Sequence, residues 1–381
     1  MIIMEERFYL AAGPVTVTIA RGSAEVLGYE VSQGSSFIVP VGRHVLLKVR
    51  GEAVARSSSG GLIPASRESY AEFDQVASLA LEGKRVMIVG PVDAGKSTLA
   101  AWILNKALSA RRDAHFLTMD VGQNEVFCPA FAALSSAAPP VIPGNQGSFP
   151  HVKPCFVGSF SPAESLAKYF SCAEKLSREV SGLLVVDTDG WVDGEGALMS
   201  KVKLAEAVRA DLVIAVGLEE RAKLLEEKLA AEVIAVARLA RREKSKEERR
   251  VHRERLIAQK LIGAKQRLLR AEELELEGLE LFRGKPLRLN NPSTVYAEMG
   301  EGGLIVVYRG ERPPLGEGVK LLRESWERGL LVSVEGDGIH VGVLDKIYYE
   351  KKLLRVFTNY EGKVKHLEVG KARVDLQSLG L

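Results

Sequence analysis

A chain of 381 residues is too long for one typical domain and should divide into two or three, each large enough for its own core. Its 52 basic and 49 acidic residues leave a net charge of +3, which excludes a molecule-wide field for nucleic acid and requires any basic site to be local. Residues 1–7 lack the cationic and apolar stretches of a signal peptide, and no apolar run approaches the ~20 residues that span a bilayer, so the expected location is the cytoplasm, or the nucleus where the source has one, with no membrane partner.

Residues 1 to about 56 read as short β segments (7–10, 15–19, 24–27, 36–39 and 44–48) separated by Gly13-Pro14, Arg21-Gly22 and Gln33-Gly34 turns. They predict a small β-sandwich or barrel, with a domain at 1–60. Ser57-Ser-Ser-Gly-Gly61 breaks the periodicity and reads as a linker. A helix over 69–81 leads into the apolar strand Val86–Val89, which is followed by Gly90-Pro-Val-Asp-Ala-Gly95-Lys96-Ser97-Thr98 and a helical run over 99–110. From 85 to about 236, strand-like runs at 115–119, 183–186, 212–216 and 233–236 alternate with helical segments near 163–179, 199–208 and 221–229. That alternation predicts an α/β domain with a mostly parallel sheet, over 61–285, and ligands at the carboxyl ends of its strands. The Pro- and Gly-rich segment 124–154 is too long for an ordinary connection and is expected to be a substrate loop. A charge-dense run over 238–270 reads as solvated amphipathic helix on its own pattern. β signals resume at Pro286 and predict a second small β domain over 286–381.

Cys128, Cys155 and Cys172 are odd in number and show no C-x-x-C spacing, so they are expected to be reduced packing residues rather than a disulfide or zinc framework. Sparse Asn and Gln with abundant Lys, Arg and Glu are compatible with a thermophilic source.

The chemistry starts at residues 90–98. Strand, Gly-x-x-x-x-Gly-Lys-Ser and helix form the phosphate-cradling P-loop frame. Gly90 and Gly95 permit the tight turn, the loop from Gly90 through Pro91, Val92, Asp93, Ala94 and Gly95 to Thr98 surrounds a polyphosphate with its backbone, and the helix amino terminus adds positive potential. Lys96 is expected on the β- and γ-phosphates and Ser97 on Mg2+. The 115–119 strand, expected next to the P-loop strand, ends in Asp120-Val-Gly-Gln123, where Asp120 can hold Mg2+ through water or accept a proton from an attacking hydroxyl, and Gln123 can orient that nucleophile. A second strand ends in Asp187-Thr188-Asp189-Gly190-Trp191. Asp187-x-x-Gly190 also fits the phosphate-sensing motif of GTPases, but no guanine-reading Asn/Thr-Lys-x-Asp follows the next strand, and Trp191 is placed to stack on a nucleobase.

Together, the P-loop, Asp120-Val-Gly-Gln123, the Gly158-Ser-Phe-Ser-Pro162 loop, Thr188-Asp-Gly-Trp191 and the basic run over 241–255 resemble the polynucleotide 5′-hydroxyl kinases. That family includes the kinase linked to tRNA splicing and mRNA 3′-end processing, the nucleolar rRNA-processing kinases and shorter archaeal RNA kinases, and the likeness points to an archaeal member. It is strongest over 84–255, and the family's three-part layout has flanking small β domains. The resemblance implies transfer of the γ-phosphate of ATP, or another NTP, to the 5′-hydroxyl of RNA, with DNA as a further acceptor. It implies ATP and Mg2+ as cofactors and RNA-processing proteins as partners. Site residues carry over as Lys96 and the P-loop amides on the triphosphate, Ser97 and Asp120 on Mg2+, and Asp120 as base. Ser161 would clasp the phosphate and acceptor, Thr188 would sit beside the acceptor, and Trp191 would hold the terminal nucleotide. Lid cations map near Lys244 and Arg249, with Arg253 one turn on. The chain departs from the family pattern at Thr118, where many relatives carry an acid, at Lys244 in place of Arg, and at Phe160 where Thr is frequent. Two other readings are an ATP-binding scaffold of an RNA-processing assembly without turnover, and a GTPase.

Overall fold

The computed structural model describes residues 6–238 and 245–381. The chain forms two compact units, residues 1–157 with 161–249, and residues 158–160 with 250–381.

In the first unit, strands β1 (Glu6–Ala12), β2 (Val15–Val26), β3 (Tyr29–Ser32), β4 (Ser36–Val39), β5 (His44–Arg56) and β6 (Gly61–Pro64) form one sheet in the order β3-β2-β5-β1-β6, with β4 also on β2. The segments expected at 15–19 and 24–27 are a single long strand, because a register shift at Ile19/Arg21 bends it without ending its pairing to β5. The linker expected at Ser57–Gly61 is instead a turn. Ser57 Oγ accepts the Ser59 and Gly60 amides at 3.0 and 2.7 Å, and β6 then pairs with β1. Gly60 is required there, since a Cβ would lie 2.1 Å from the Ala12 carbonyl oxygen.

Helix α1 (Arg67–Ala80), capped by Ser66, and helix α2 (Lys96–Ser109) pack together. Helix α2 is apolar nearly all round because its surroundings are protein on most sides. Trp102 is fully buried, stacked on Phe73 at 5.4 Å and edge-on to Tyr70 at 4.7 Å, and its Nε1 donates to Asp74 Oδ1. The one polar residue deep in α2, Asn105, donates to the Val26 and Val141 carbonyls and accepts the Val141 amide, so it ties β2 and the 137–150 segment to the helix. The N-terminal sheet thus shares one core with α1, α2 and one face of the second sheet.

That second sheet contains β7 (Arg85–Val89), β8 (Ala114–Met119), β9 (Phe131–Ser136), β10 (Lys153–Phe156), β11 (Leu183–Thr188), β12 (Leu212–Val216) and β13 (Glu232–Val236), in the order β10-β9-β8-β11-β7-β12-β13. Strands β8, β11, β7, β12 and β13 are parallel, and β7 and β11 are apolar runs because helices cover both faces. The helices are α2, α3 (Leu166–Ser177), α4 (Glu195–Val208) and α5 (Glu219–Lys228). Segment 124–154, expected to be an irregular substrate loop, supplies β9 and the start of β10, an antiparallel edge on β8. Its short strands are apolar on both faces at β9, a pattern that Pro and Gly on either side obscure in sequence.

The cysteine expectation is overturned for two of three. Cys155 and Cys172 form a disulfide between β10 and α3, with Cα atoms 5.6 Å apart, while Cys128 is free and buried. The pairing depends on α3 packing against β9 and β10, which a 17-residue separation does not advertise.

Helix α6 (Lys246–Lys260) carries the chain from the first unit to the second. In the second unit, Lys265–Arg270, Leu353–Thr358, Ile339–Tyr348, Leu330–Glu335, His366–Arg373 and Glu275–Glu277 form a six-stranded sheet in that order. Lys285–Pro286, Thr294–Gly300, Gly303–Tyr308 and Lys320–Arg323 form a four-stranded one. Lys265–Arg270, which precedes residue 286, joins the first of these sheets because its Leu269 is buried in that unit's core. Gly158 O accepts the amides of Lys371 and Ala372 at 2.6 and 2.8 Å, which is why residues 158–160 group with this unit. No helix among the described residues is long and apolar enough to cross a membrane.

Candidate functional site

The site is built at the carboxyl edge of the parallel strands. At the end of β7, Gly90 must lack a side chain, because a Cβ would lie 2.5 Å from the Val216 carbonyl oxygen of the next strand. Gly95 has φ of +100°, which glycine adopts without strain, and from it α2 begins. Asp93 also has a positive φ, +56°, in keeping with the tolerance of Asp for that region. The loop is therefore wound into the phosphate-cradle shape, with its orphan helix amides at the turn. Lys96 is buried and its Nζ donates to the Pro91 carbonyl at 2.8 Å, within the loop itself.

Ser97 Oγ donates to Asp187 Oδ2 at 2.6 Å. Asp187 stands at the tip of β11, directly beside β7, whereas Asp120 follows β8, one strand further out. The carboxylate touching the P-loop hydroxyl is thus Asp187, and this corrects the expectation that the strand before Asp120 is the P-loop strand's neighbour. Asp187 is buried, and its Oδ1 has no hydrogen-bond partner. Burial pushes its pKa up to about 6, against the lowering influence of Lys96 and Ser97. Asp120 uses Oδ1 to accept the Gly122 and Gln123 amides at 3.1 and 3.0 Å, which shapes the turn at the strand tip. Its pKa is also raised, first by burial and then by the charge of Asp189, while Lys96 opposes the rise. Lys96 and three carboxylates therefore share one electrostatic neighbourhood. Gln123 shares the Asp120 turn through its backbone.

The segment after β11 is pinned from several sides. Thr188 is fully buried, and its hydroxyl donates to the Ile88 carbonyl at 2.9 Å, so that side chain ties β11 to β7. Gly190 approaches the P-loop so closely that a Cβ would be 2.6 Å from Val92 N. Asp189 Oδ1 accepts the Trp191 amide at 2.8 Å, and its Oδ2 accepts Tyr169 Oη at 2.8 Å and Lys201 Nζ at 2.5 Å. Arg221 donates to the Val192 carbonyl and pairs with Asp193 at 3.1 Å. Trp191 itself is partly exposed.

From the basic run, Arg249 reaches the P-loop within the first unit, its Nη1 lying 3.5 Å from Asp93 Oδ2. The start of α6 carries a capping box, in which Ser245 N donates to Glu248 Oε2 and Glu248 N to Ser245 Oγ, at 2.7 and 3.0 Å. Lys244 and the rest of 239–244 lie outside the described residues. Arg253 belongs to the second unit, its guanidinium 4.5 Å from the Phe160 ring centroid, so the Phe160 departure supplies a cation–π partner. Ser161 precedes the short 3-10 turn Pro162–Glu164, and its carbonyl accepts the Glu164 amide.

The sequence marked Asp187 only as a strand-tip acid that fits a phosphate-sensing motif, and it assigned no site role to Arg43 or Arg238. Arg43, from the turn before β5, pairs with Glu125 and lies in the field of Asp187 and Asp120; its Nε is buried without a partner. Arg238, just past β13, donates to the Val92 carbonyl at 3.1 Å. The strand-tip position of Asp187 was a usable signal, whereas nothing local marks Arg43.

A parallel sheet with a Gly-x-x-x-x-Gly-Lys-Ser loop at its carboxyl edge, and a carboxylate bonded to the loop serine, defines a P-loop nucleoside-triphosphate-binding protein. The family described as "mRNA cleavage and polyadenylation factor CLP1 P-loop" matches residues 90–261. A polyribonucleotide 5′-hydroxyl-kinase of Thermococcus kodakarensis is 27% identical over 339 residues, covering 82% of this chain and 93% of that protein. A CLP1 homolog of Brugia malayi is 28% identical over 241 residues, and a polyribonucleotide 5′-hydroxyl-kinase of Danio rerio is 29% identical over 242. With these two the match spans only about half of each protein, 55% and 54% of their lengths. A solved complex of Clp1p with Pcf11p (454–563) superposes with a TM-score of 0.61 at 13% identity, covering 97% of this chain and 98% of that one, and shows the shared fold. Over residues 90–261 the chain is therefore similar to the CLP1 P-loop family, and over most of its length to an archaeal polyribonucleotide 5′-hydroxyl-kinase.

Proposed function

We propose that this protein is an ATP-dependent polynucleotide 5′-hydroxyl kinase that phosphorylates RNA ends, with DNA ends as a second acceptor class. The observation that carries the reading is the gathering of Lys96, Ser97, Asp120 and Asp187 at one strand edge, with Arg249 on P-loop Asp93. Residues 90–98 hold the triphosphate. Lys96 leaves the Pro91 carbonyl for the β- and γ-phosphates, exchanging one acceptor for a charged one. Asp120, raised in pKa and therefore a stronger base than an exposed carboxylate, takes the proton of the 5′-hydroxyl as its oxygen bonds to the γ-phosphorus and ADP departs. Gln123 and Ser161 orient the acceptor, and Trp191 stacks on its terminal base. Thr188 serves that acceptor site through the backbone, because its hydroxyl is spent on β7. Arg249 stabilises charge on the transferred group, and Arg253, in the second unit, enters this reading only through the family resemblance.

Magnesium fits the residues present. Ser97 Oγ and the unpartnered Asp187 Oδ1 are hard oxygen donors beside the cradle, and no cluster of three or more His, Cys, Asp or Glu side chains suited to an ion occurs among the described residues. An ion held by few protein groups and mostly by phosphate and water is the usual magnesium arrangement in such sites. Ser97 would hold it directly, with Asp187 and Asp120 as carboxylate partners, and the ion would neutralise charge on the phosphates.

The three-part layout, with an N-terminal β domain over 1–60, a kinase domain over 61–285 and a C-terminal β domain over 286–381, belongs to the same reading, although residues 250–285 group with the second unit and the N-terminal sheet shares its core with α1 and α2. So do RNA-processing protein partners and a cytoplasmic location. The Cys155–Cys172 disulfide is in keeping with that location in a thermophilic source, because intracellular proteins of hyperthermophiles are disulfide-rich. Incubation with γ-labelled ATP and a 5′-hydroxyl oligoribonucleotide should label the RNA, and Lys96→Ala should abolish labelling. Tight ATP binding with no label on any RNA or DNA end would replace the kinase with an ATP-locked scaffold.

A further inference from the structure

Beneath Trp191 lies a polar assembly that phosphoryl transfer does not itself call for. Lys201 of α4 and Asp189 are 2% and 5% exposed, and Tyr169 of α3 is fully buried. Taking a lysine and a carboxylate so far from water costs several kcal/mol per ion and is tolerated only when both are paired and hydrogen-bonded. Here the carboxylate takes three donors, from Lys201, Tyr169 and the Trp191 amide, at 2.5, 2.8 and 2.8 Å. Two of the three come from helices α3 and α4, and the third is the backbone of the partly exposed aromatic residue. Gly190, between them, approaches Val92 of the P-loop so closely that a Cβ there would lie 2.6 Å from the Val92 nitrogen. The loop carrying Trp191 is therefore anchored through one buried carboxylate to two helices, and it abuts the donor cradle.

We infer that Lys201, Asp189 and Tyr169 are positioning residues for the acceptor: they hold the Trp191 backbone in register with the P-loop, so that a base stacked on Trp191 delivers its 5′-hydroxyl in line with the γ-phosphate. This rests on the assignment of Trp191 to the terminal nucleotide. An apolar core of equal volume would support α3 and α4 as well, and α4 already packs on α3 and α5. What it would not supply is an acceptor for the Trp191 amide at a fixed point, and that is the bond the assembly makes towards the site.

The test separates acceptor handling from folding and from ATP binding. In the full chain, Tyr169→Phe removes one hydrogen bond and should raise the KM for a 5′-hydroxyl oligoribonucleotide roughly threefold. Lys201→Met leaves Asp189 buried without its cation and should raise it roughly tenfold or more. ATP affinity, measured by titration calorimetry, should stay within about twofold of wild type in both. The double variant Asp189→Asn with Lys201→Met removes both charges while keeping an acceptor for the Trp191 amide, and should bring the acceptor KM back towards wild type. The inference is overturned if Tyr169→Phe and Lys201→Met change melting temperature alone, or if ATP affinity and acceptor KM worsen in parallel. Trp191→Ala distinguishes the two layers. If it raises acceptor KM while the other variants do not, only the positioning role fails; if Trp191→Ala itself leaves acceptor KM unchanged, the stacking assignment fails and the positioning role falls with it.

Discussion

Replacing Asp187 by Asn should make the nucleotide-free protein more stable and less active. The carboxyl is buried beside Ser97, with one oxygen unpartnered, and its pKa is pushed from the ordinary 3.8 to about 6. A group whose folded pKa lies above its unfolded value binds its proton more tightly in the folded state, so its contribution is complete below pH 3.8 and is lost as the pH rises through 6. The difference between 3.8 and about 6 corresponds to roughly 3 kcal/mol, present in full as a cost at pH 7. Asn has the same shape, carries no charge, and can still bond the Ser97 hydroxyl. In differential scanning calorimetry without nucleotide or magnesium, Asp187→Asn should melt several degrees above wild type at pH 7, and the gap should close as the pH falls towards 4. Labelled-ATP transfer at saturating magnesium should fall at least ~100-fold, since the variant loses a carboxylate at the phosphate site. Equal or lower melting temperature for the variant at pH 7, with no narrowing at pH 4, would refute the buried-charge argument. Undiminished transfer would refute the metal-side role.

Arg249→Ala should lower kcat ~10^3-fold while leaving ATP affinity nearly intact, as expected of a cation that stabilises transferred charge, and single-turnover kinetics will read this directly. Opening the Cys155–Cys172 bridge by Cys172→Ser should cost about 3 kcal/mol for a loop of this length, seen as a lower melting temperature; wild type under strong reductant should approach the variant. Trp102→Ala should cost about 3–5 kcal/mol by emptying the pocket between Phe73 and Tyr70, measured by urea unfolding of the first unit's transition.

The donor half of the site was legible from the sequence because its chemistry is local. Gly90, Gly95, Lys96 and Ser97 act through a backbone shape that eight consecutive residues specify, and the alternation of apolar runs with helices implied a parallel sheet with that loop at its carboxyl edge. Family likeness also follows from order and spacing along the chain. Strand order is different in kind, because every parallel neighbour is reached by a long crossover, and periodicity does not say which strand ends up beside β7. Asp120 and Asp187 both end strands, and only the sheet decided that Asp187 meets Ser97. The same holds for Arg43, brought from the N-terminal sheet to Glu125, for the disulfide across β10 and α3, and for the use of 124–154 as sheet edge rather than loop. It holds too for Lys201, which in sequence is one more lysine on a helix and in the fold is a buried partner of Asp189. The residues that cradle phosphate were thus set by sequence alone, because adjacency along the chain is their geometry. Those proposed to place a second substrate against it were decided by the tertiary structure, because their contacts join segments that meet only after the sheet and its helices have packed.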